Sequence, residues 1–487
     1  MDLKELILTA TIPQLGRGLK NKIFSSVELT SAYLERAKIL NEQTNAFITI
    51  DEEYALKSAE KADELIKNGK AKPLTGIPLS VKDNICTKDI KTTCASKMLE
   101  DFTPFYDATA VSRLKKQGAV IIGKTNMDEF AMGGSSGTSC FGAVKNPYDL
   151  TRVPGGSSGG SATSVSASMC TASLGSDTGG SVRQPASFCG ITGLKPTYGA
   201  VSRYGLIAFA SSFDQIGTIG KTAEDCGILL NAIAGKDDLD STCSTLPFKN
   251  CLKEINKGVK GLKVALPKEF FGDNISGGVK SALFKATETF KNMGAEILEV
   301  SLPELKYAVA AYYLISSAEA ASNLSRYDGI KYGHRSEKGK TYEEIIKNSR
   351  REGFGNEVKR RIMLGNYALS SGYYEAYYNK AVKIRKKLKA QLDEIFKTCD
   401  LILTPTAPTT AYKIGSMEKN PAHMYLADIC TVLANIAGLP AISTPCGYDK
   451  KGLPIGMSLM GKAFSEATLI RAATAFEIQF ERREAAL

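Results

Sequence analysis

Apolar residues change their period several times along this 487-residue chain, and each change marks an element. Over residues 24–40, Leu29, Tyr33, Leu34 and Ala37 recur at helical spacing. Ser25 and Glu28 stand three apart at its start, a pair able to cap each other's backbone amides, and together these features predict a helix. A second helix is expected over 52–68, ending near Gly69. From Gly76 to Gly220 the texture changes. Short β-prone runs at 77–81, 119–122 and 171–174 alternate with glycine/serine-rich turns and helical stretches. That rotation predicts an α/β sheet covered by helices. Residues 236–260 are polar and charged, a surface excursion. Strands restart at 262–266 and 295–300 around a helix, a long helical region covers 303–398, and the last strands are expected at 401–404 and 441–444. No internal repeat interrupts this order.

Composition narrows the chemistry more than the fold. With 43% hydrophobic and 23% charged residues the chain can bury a large core, which excludes disorder as its main state. The first residues carry no uninterrupted apolar stretch of the export type, and no apolar run approaches the ~20 residues of a membrane span, so a cytoplasmic protein is expected. Eleven cysteines without a C-x-x-C pair fit neither a disulfide framework nor a zinc ribbon, and are expected to be mostly buried thiols. Only two histidines occur, His334 and His423. A multi-histidine metal site or a histidine-based triad therefore has little to draw on, and no metal is expected. The formal charge of +11 draws polyanions such as RNA. Its densest run, Lys380–Lys389, interleaves lysines with Val382, Ile384 and Leu388, as either a solvated helix face or an RNA contact does.

Three pieces can carry catalysis: Lys82 after the β-prone run, the loop Gly155-Gly156-Ser157-Ser158-Gly159-Gly160-Ser161, and Asp177-Thr178-Gly179-Gly180-Ser181-Val182-Arg183. Each lies at the end of an expected strand or the start of an expected helix, where groups gather at the crevice of an α/β sheet. Glycines let successive amides converge on one point while a serine is presented beside them, the arrangement that stabilises a tetrahedral oxyanion. With histidine scarce, a lysine made neutral by burial can serve as base, directly or through a second hydroxyl. Taken singly, the loop is also what any turn looks like and Lys82 what any surface lysine looks like; the three in order are more specific. Asp177 and Arg183 flank the second loop and can pair to brace it. One literal match is rejected: Gly118 to Thr125 fits the phosphate-loop pattern, but residues 119–122 are an apolar run whose amides a sheet would use.

Lys82, the Gly-Gly-Ser-Ser-Gly-Gly loop and Asp-Thr-Gly-Gly-Ser-Val-Arg-x-Pro-Ala resemble the amidase-signature enzymes, and KTNMDEFAMGGSS, SSAEAASNLSRYDGIKYGHRS and ADICTVLANIAGLPAISTPCG resemble the GatA chains of tRNA-dependent amidotransferases. The resemblance covers nearly the whole chain. It implies one amidase-signature domain over 1–487, with a helical region at 1–70, the signature core at 71–220 and a substrate-bearing helical region at 303–398, built on a large mixed β-sheet between helical layers. It further implies Ser181 as nucleophile, Ser157 after a cis peptide bond as the bridging serine, Lys82 as general base, and the amides of Thr178, Gly179, Gly180 and Ser181 as the oxyanion hole. Tyr312, Arg361 and Asp428 fall where such chains hold the amino-acid end of glutamine. The implied reaction releases ammonia from glutamine for Glu-tRNA(Gln), or Asp-tRNA(Asn), in a heterotrimer with GatB-like and GatC-like subunits. No cofactor is expected in this chain, ATP and Mg²⁺ being used by the partner. The competing expectation is a free-standing amidase of small or fatty amides, for which paired anchors at 312, 361 and 428 have no use.

Overall fold

A computed structural model of the chain describes residues 3–416, 425 and 427–487. His423 lies outside the described residues. In chain order the strands are β1 (Phe47–Ile50), β2 (Pro78–Lys82), β3 (Val120–Thr125), β4 (Ala172–Asp177), β5 (Thr192–Lys195) and β6 (Gln215–Gly220). They continue as β7 (Lys263–Pro267), β8 (Glu296–Val300), β9 (Leu401–Pro405), β10 (Ala441–Tyr448) and β11 (Pro454–Gly461). All eleven hydrogen-bond into one sheet in the order β1-β3-β2-β4-β6-β5-β10-β11-β9-β7-β8. The sheet is mixed. β3, β2 and β4 run parallel, as do β9, β7 and β8, while β6, β5, β10 and β11 join them through antiparallel pairs.

Alternation along the strands explains why both faces must be covered. Successive side chains of a strand point to opposite faces, and in β3 Ile121 joins one hydrophobic cluster with Leu79, Val81 and Leu174, while Val120 and Ile122 join another with Val165, Val182 and Ile219. A sheet apolar on both faces is stable only between layers, and helices pack against it, among them Glu52–Lys67, Gly159–Ser166, Ala223–Ile233 and Glu466–Gln479.

The expected capping box is present: Glu28 N donates to Ser25 Oγ (3.1 Å) and Ser25 N to Glu28 Oε2 (2.7 Å), opening a helix over Ser26–Thr44. The helix expected at 52–68 spans Glu52–Lys67, and residues 236–260 hold no regular helix or strand. The region 303–398 is interrupted: helices Ala308–Asn323, Tyr342–Gly353, Asn356–Leu369 and Lys380–Ile395 are separated by breaks, and a π-helical turn, Tyr374–Asn379, leads into the last. Four strands lie outside the expected set. β1, β5 (TGLK), β6 (QIGTIG) and β11 (PIGMSLMG) are short or carry the glycine and proline that mark turns, and long-range pairing overrides that local signal. All of the Gly118 to Thr125 stretch but its first two residues is β3, with the Lys124 amine turned inward to Ile85 O (2.9 Å) and Thr92 Oγ1 (2.6 Å). Ten of the eleven cysteines are buried and all are free thiols, Cys140 alone being exposed. Among the described residues no helix is long and apolar enough to cross a membrane, and no cluster of metal-ligating side chains occurs.

Candidate active site

β2 and β4 are parallel neighbours, so their final residues, Lys82 and Asp177, reach the same edge of the sheet. Carboxyl ends of parallel strands open onto a crevice, and the two glycine-rich loops enter it there. Lys82 is fully buried; its Nζ donates to Ser157 Oγ (2.7 Å), Ser176 Oγ (2.9 Å) and Ser176 O (3.3 Å). Burial pushes the Lys82 amine down to about 7, against the pull of Asp128, Asp177 and Asp214. The Gly156–Ser157 peptide is cis. The Ser158 amide donates to Ser181 O (3.1 Å), which lays one loop against the other.

Ser181 is 7% exposed, and its hydroxyl has no hydrogen bond among the described residues. Its loop is held from below by Asp177, whose carboxylate accepts from Gly180 N (2.9 Å), Val182 N (3.2 Å), Asn435 Nδ2 (2.9 Å) and both Arg183 Nε and Nη2 (3.0 Å each). The Asp177–Arg183 pair thus braces the turn, as expected. Burial alone would raise Asp177, but the guanidinium beside it holds the carboxyl at about 2. Of the amides expected in an oxyanion hole, that of Gly180 donates to Asp177, whereas those of Gly179 and Ser181 have no intramolecular acceptor among the described residues. Thr178 is fixed by its hydroxyl, which donates to Asp214 Oδ1 (2.7 Å). Gly179 admits no larger residue, since a Cβ there would lie 2.5 Å from the Tyr312 hydroxyl.

Tyr312 therefore reaches the Ser181 loop from the helix Ala308–Asn323. Asp428 is half-buried, accepts from Tyr313 Oη (2.5 Å) and lies near Gly134; loss of water around it pushes its carboxyl up to about 7. Arg361 is buried, with its guanidinium 4.5 Å over the Tyr313 ring and 5.1 Å over that of Tyr425. Burial would lower Arg361, but Tyr313, Glu357 and Tyr425 outweigh it, so it stays firmly protonated. A cation and an anion thus both meet Tyr313, whose neighbour Tyr312 reaches the Ser181 loop.

Several supporting residues escape a reading of the sequence. Asp128 collects Ser135 N (3.2 Å), Ser136 N (2.8 Å), Gly137 N (3.1 Å) and Thr138 Oγ1 (3.1 Å), ordering the loop whose Ser136 hydroxyl donates to Gly155 O (2.9 Å). Asp214 accepts Phe209 N and Ala210 N as well as Thr178, and Glu357 pairs with Arg361. A cavity of about 1060 Å³ lies elsewhere, between residues 97–106 and 325–335; a smaller one of about 370 Å³, lined by Glu129, Ser135, Thr138, Glu357, Arg360 and Tyr412, borders this site.

Lys82 meets Ser157, and the Ser158 amide holds the Ser181 loop beside them; the model of the amidase family matches residues 28–470. The chain belongs to the amidase family. Its relatives include the A chain of glutamyl-tRNA(Gln) amidotransferase from Ruminiclostridium cellulolyticum, 56% identical over 99% of this chain and 98% of that protein. The protein of the same name from Caldanaerobacter subterraneus is 54% identical, over 97% of this chain and 96% of that protein. Among solved structures, the corresponding glutamyl-tRNA(Gln) amidotransferase chain of Thermotoga maritima superposes with a TM-score of 0.80 at 41% identity, covering 100% of this chain and 99% of that one. The peptide amidase of Stenotrophomonas maltophilia gives 0.82 at 29% identity, covering 98% of each. The large mixed sheet with its helices is accordingly the amidase fold.

Proposed function

We propose that this amidase is the glutamine-hydrolysing component, GatA, of a tRNA-dependent amidotransferase, and that Lys82, Ser157 and Ser181 are its catalytic relay. Ser181 Oγ attacks the side-chain amide carbon; its proton passes to Ser157 Oγ, whose own proton is taken by the neutral Lys82 amine 2.7 Å away. The relay then returns a proton to the leaving nitrogen, ammonia departs, and water cleaves the acyl ester to give glutamate. The amides of Gly179 and Ser181 face the developing oxyanion, where each donor of such a hole is typically worth about 3 to 4 kcal/mol. Substrate choice rests on one observation: the buried guanidinium of Arg361 and the carboxylate of Asp428, joined through Tyr313, match the α-carboxylate and α-ammonium of an amino acid. Tyr312 adds a hydroxyl. A simple amide needs neither charge.

On this reading ammonia passes to a GatB-like subunit that uses ATP and Mg²⁺ to activate Glu-tRNA(Gln) or Asp-tRNA(Asn), with a GatC-like subunit completing a cytoplasmic heterotrimer. The relatives' names and the +11 charge of the chain support that assembly. Rapid quenching of the complex with labelled glutamine tests the chemistry. An ester on Ser181 is expected in the parent and none in Ser181→Ala; label on one of the cysteines would refute the serine mechanism.

A further inference from the structure

Arg361 is held along one edge only. Its Nε donates to Glu357 Oε1 (2.7 Å), one turn earlier on the helix Asn356–Leu369, while its two terminal nitrogens have no hydrogen-bond partner among the described residues although the residue is 2% exposed. A guanidinium offers two bidentate edges, one through Nε and one through the paired terminal nitrogens. With Nε taken, only the second remains for an incoming carboxylate. The guanidinium is enclosed as well by three aromatic rings, Tyr313 at 4.5 Å, Tyr425 at 5.1 Å and Phe209 at 5.8 Å.

Glu357 is itself over-determined. It is 6% exposed; Oε1 also accepts from Tyr425 Oη (3.2 Å), and Oε2 contacts Arg360. Tyr425 stacks on Tyr313 at 4.0 Å, and Tyr313 donates to Asp428. One carboxylate therefore ties the helix that bears the cationic anchor to the aromatic pair that touches the anionic one. A merely structural ion pair would leave the terminal nitrogens satisfied too, as Arg183 is by Asp177, Asn435 and Thr431. Here they are left open.

We propose that Glu357 is a positioning residue for glutamine selectivity, touching no substrate but turning the terminal edge of Arg361 toward the substrate carboxylate. The inference rests on the glutaminase reading above. In the full complex carrying Ser181→Ala, which binds glutamine without consuming it, glutamine affinity is measured by calorimetry after Glu357→Leu, after Arg361→Ala and after both. Glu357→Leu should weaken binding about 30-fold or more, the scale for truncating one partner of a buried charged pair. Because Glu357 acts through Arg361, the double variant should bind no worse than Arg361→Ala alone. Glu357→Gln, which keeps a neutral acceptor for Nε, should fall between parent and Glu357→Leu, and it carries the test should the leucine variant fail to fold. If Arg361→Ala leaves binding intact, the glutaminase reading itself fails. If Arg361→Ala weakens binding while the Glu357 variants do not, or if their losses add in full, the positioning role alone is overturned.

Discussion

Between pH 8 and pH 5 the site loses its base before most carboxyls of the protein respond. Lys82 has no exposed surface, and burial brings its amine to about 7. Only the neutral amine can accept a proton, so with such a pKa about nine-tenths of molecules are competent at pH 8, about a tenth at pH 6 and about a hundredth at pH 5. The rate should fall roughly tenfold over each of the last two steps. Asp428, pushed up to about 7, adds a second demand for glutamine alone, because its carboxyl must be ionised to receive an ammonium group. The acid limb of kcat/KM should therefore be steeper for glutamine, approaching two protons, than for propionamide, where one proton suffices. Initial rates of ammonia release from both amides over pH 5 to 9, on the intact complex, read both limbs. A flat profile down to pH 5 would falsify lysine as the base. Equal slopes on the two amides would remove Asp428 from substrate recognition. Lys82→Arg gives the control: a guanidinium stays protonated throughout, so activity should drop at least about 100-fold with no recovery at high pH.

The remaining expectations follow from the same contacts. Asp428→Asn and Arg361→Ala should each lower kcat/KM for glutamine about 30-fold or more, because a substrate charge is left unpaired in a partly dry site, and should lower it much less for propionamide; equal losses would assign these residues to the fold. Asp177→Asn should destabilise the protein by about 3 to 5 kcal/mol in urea denaturation, since it leaves buried Arg183 without its counter-charge. In the parent, the carboxyl of Asp177 is held at about 2, below the usual ~3.9, so its stabilising contribution is present above that usual value and is lost as pH falls through 2. The isolated chain should be a poor glutaminase that its partner subunits stimulate, and steady-state ammonia release by chain and complex compares them; equal rates would favour the free-standing amidase.

What could be read from the sequence divides along a physical line. Strand β3 announces itself by the unbroken apolar run of a parallel strand buried on both faces, β2 and β4 by β-prone runs broken by one serine each, and the glycine-rich loops that follow β2 and β4 in space stand out by composition alone. β5, β6 and β11 do not, since Gly193, Gly217 and Gly456 occupy places where a Cβ would strike a neighbouring strand or helix; tight packing there demands the residue that local pattern assigns to turns. The supporting residues are hidden for another reason. Asp214 meets Thr178 across 36 positions and Asn435 meets Asp177 across 258, and no spacing rule reaches so far. Glu357 is the instructive case, for it stands four residues before Arg361, the spacing of an ordinary helical ion pair. Lys57 with Glu53 and Lys389 with Asp393 have that spacing too, and those pairs lie in solvent, where an ion pair is worth little. Only burial separates them. The Glu357 and Arg361 side chains are 6% and 3% exposed, and a charge kept at that depth with two donors left open is costly unless something charged arrives to meet them. That cost is the part of the site no pattern of letters carries, because it exists only once β-strands and helices far apart in the chain have closed around the helix Asn356–Leu369.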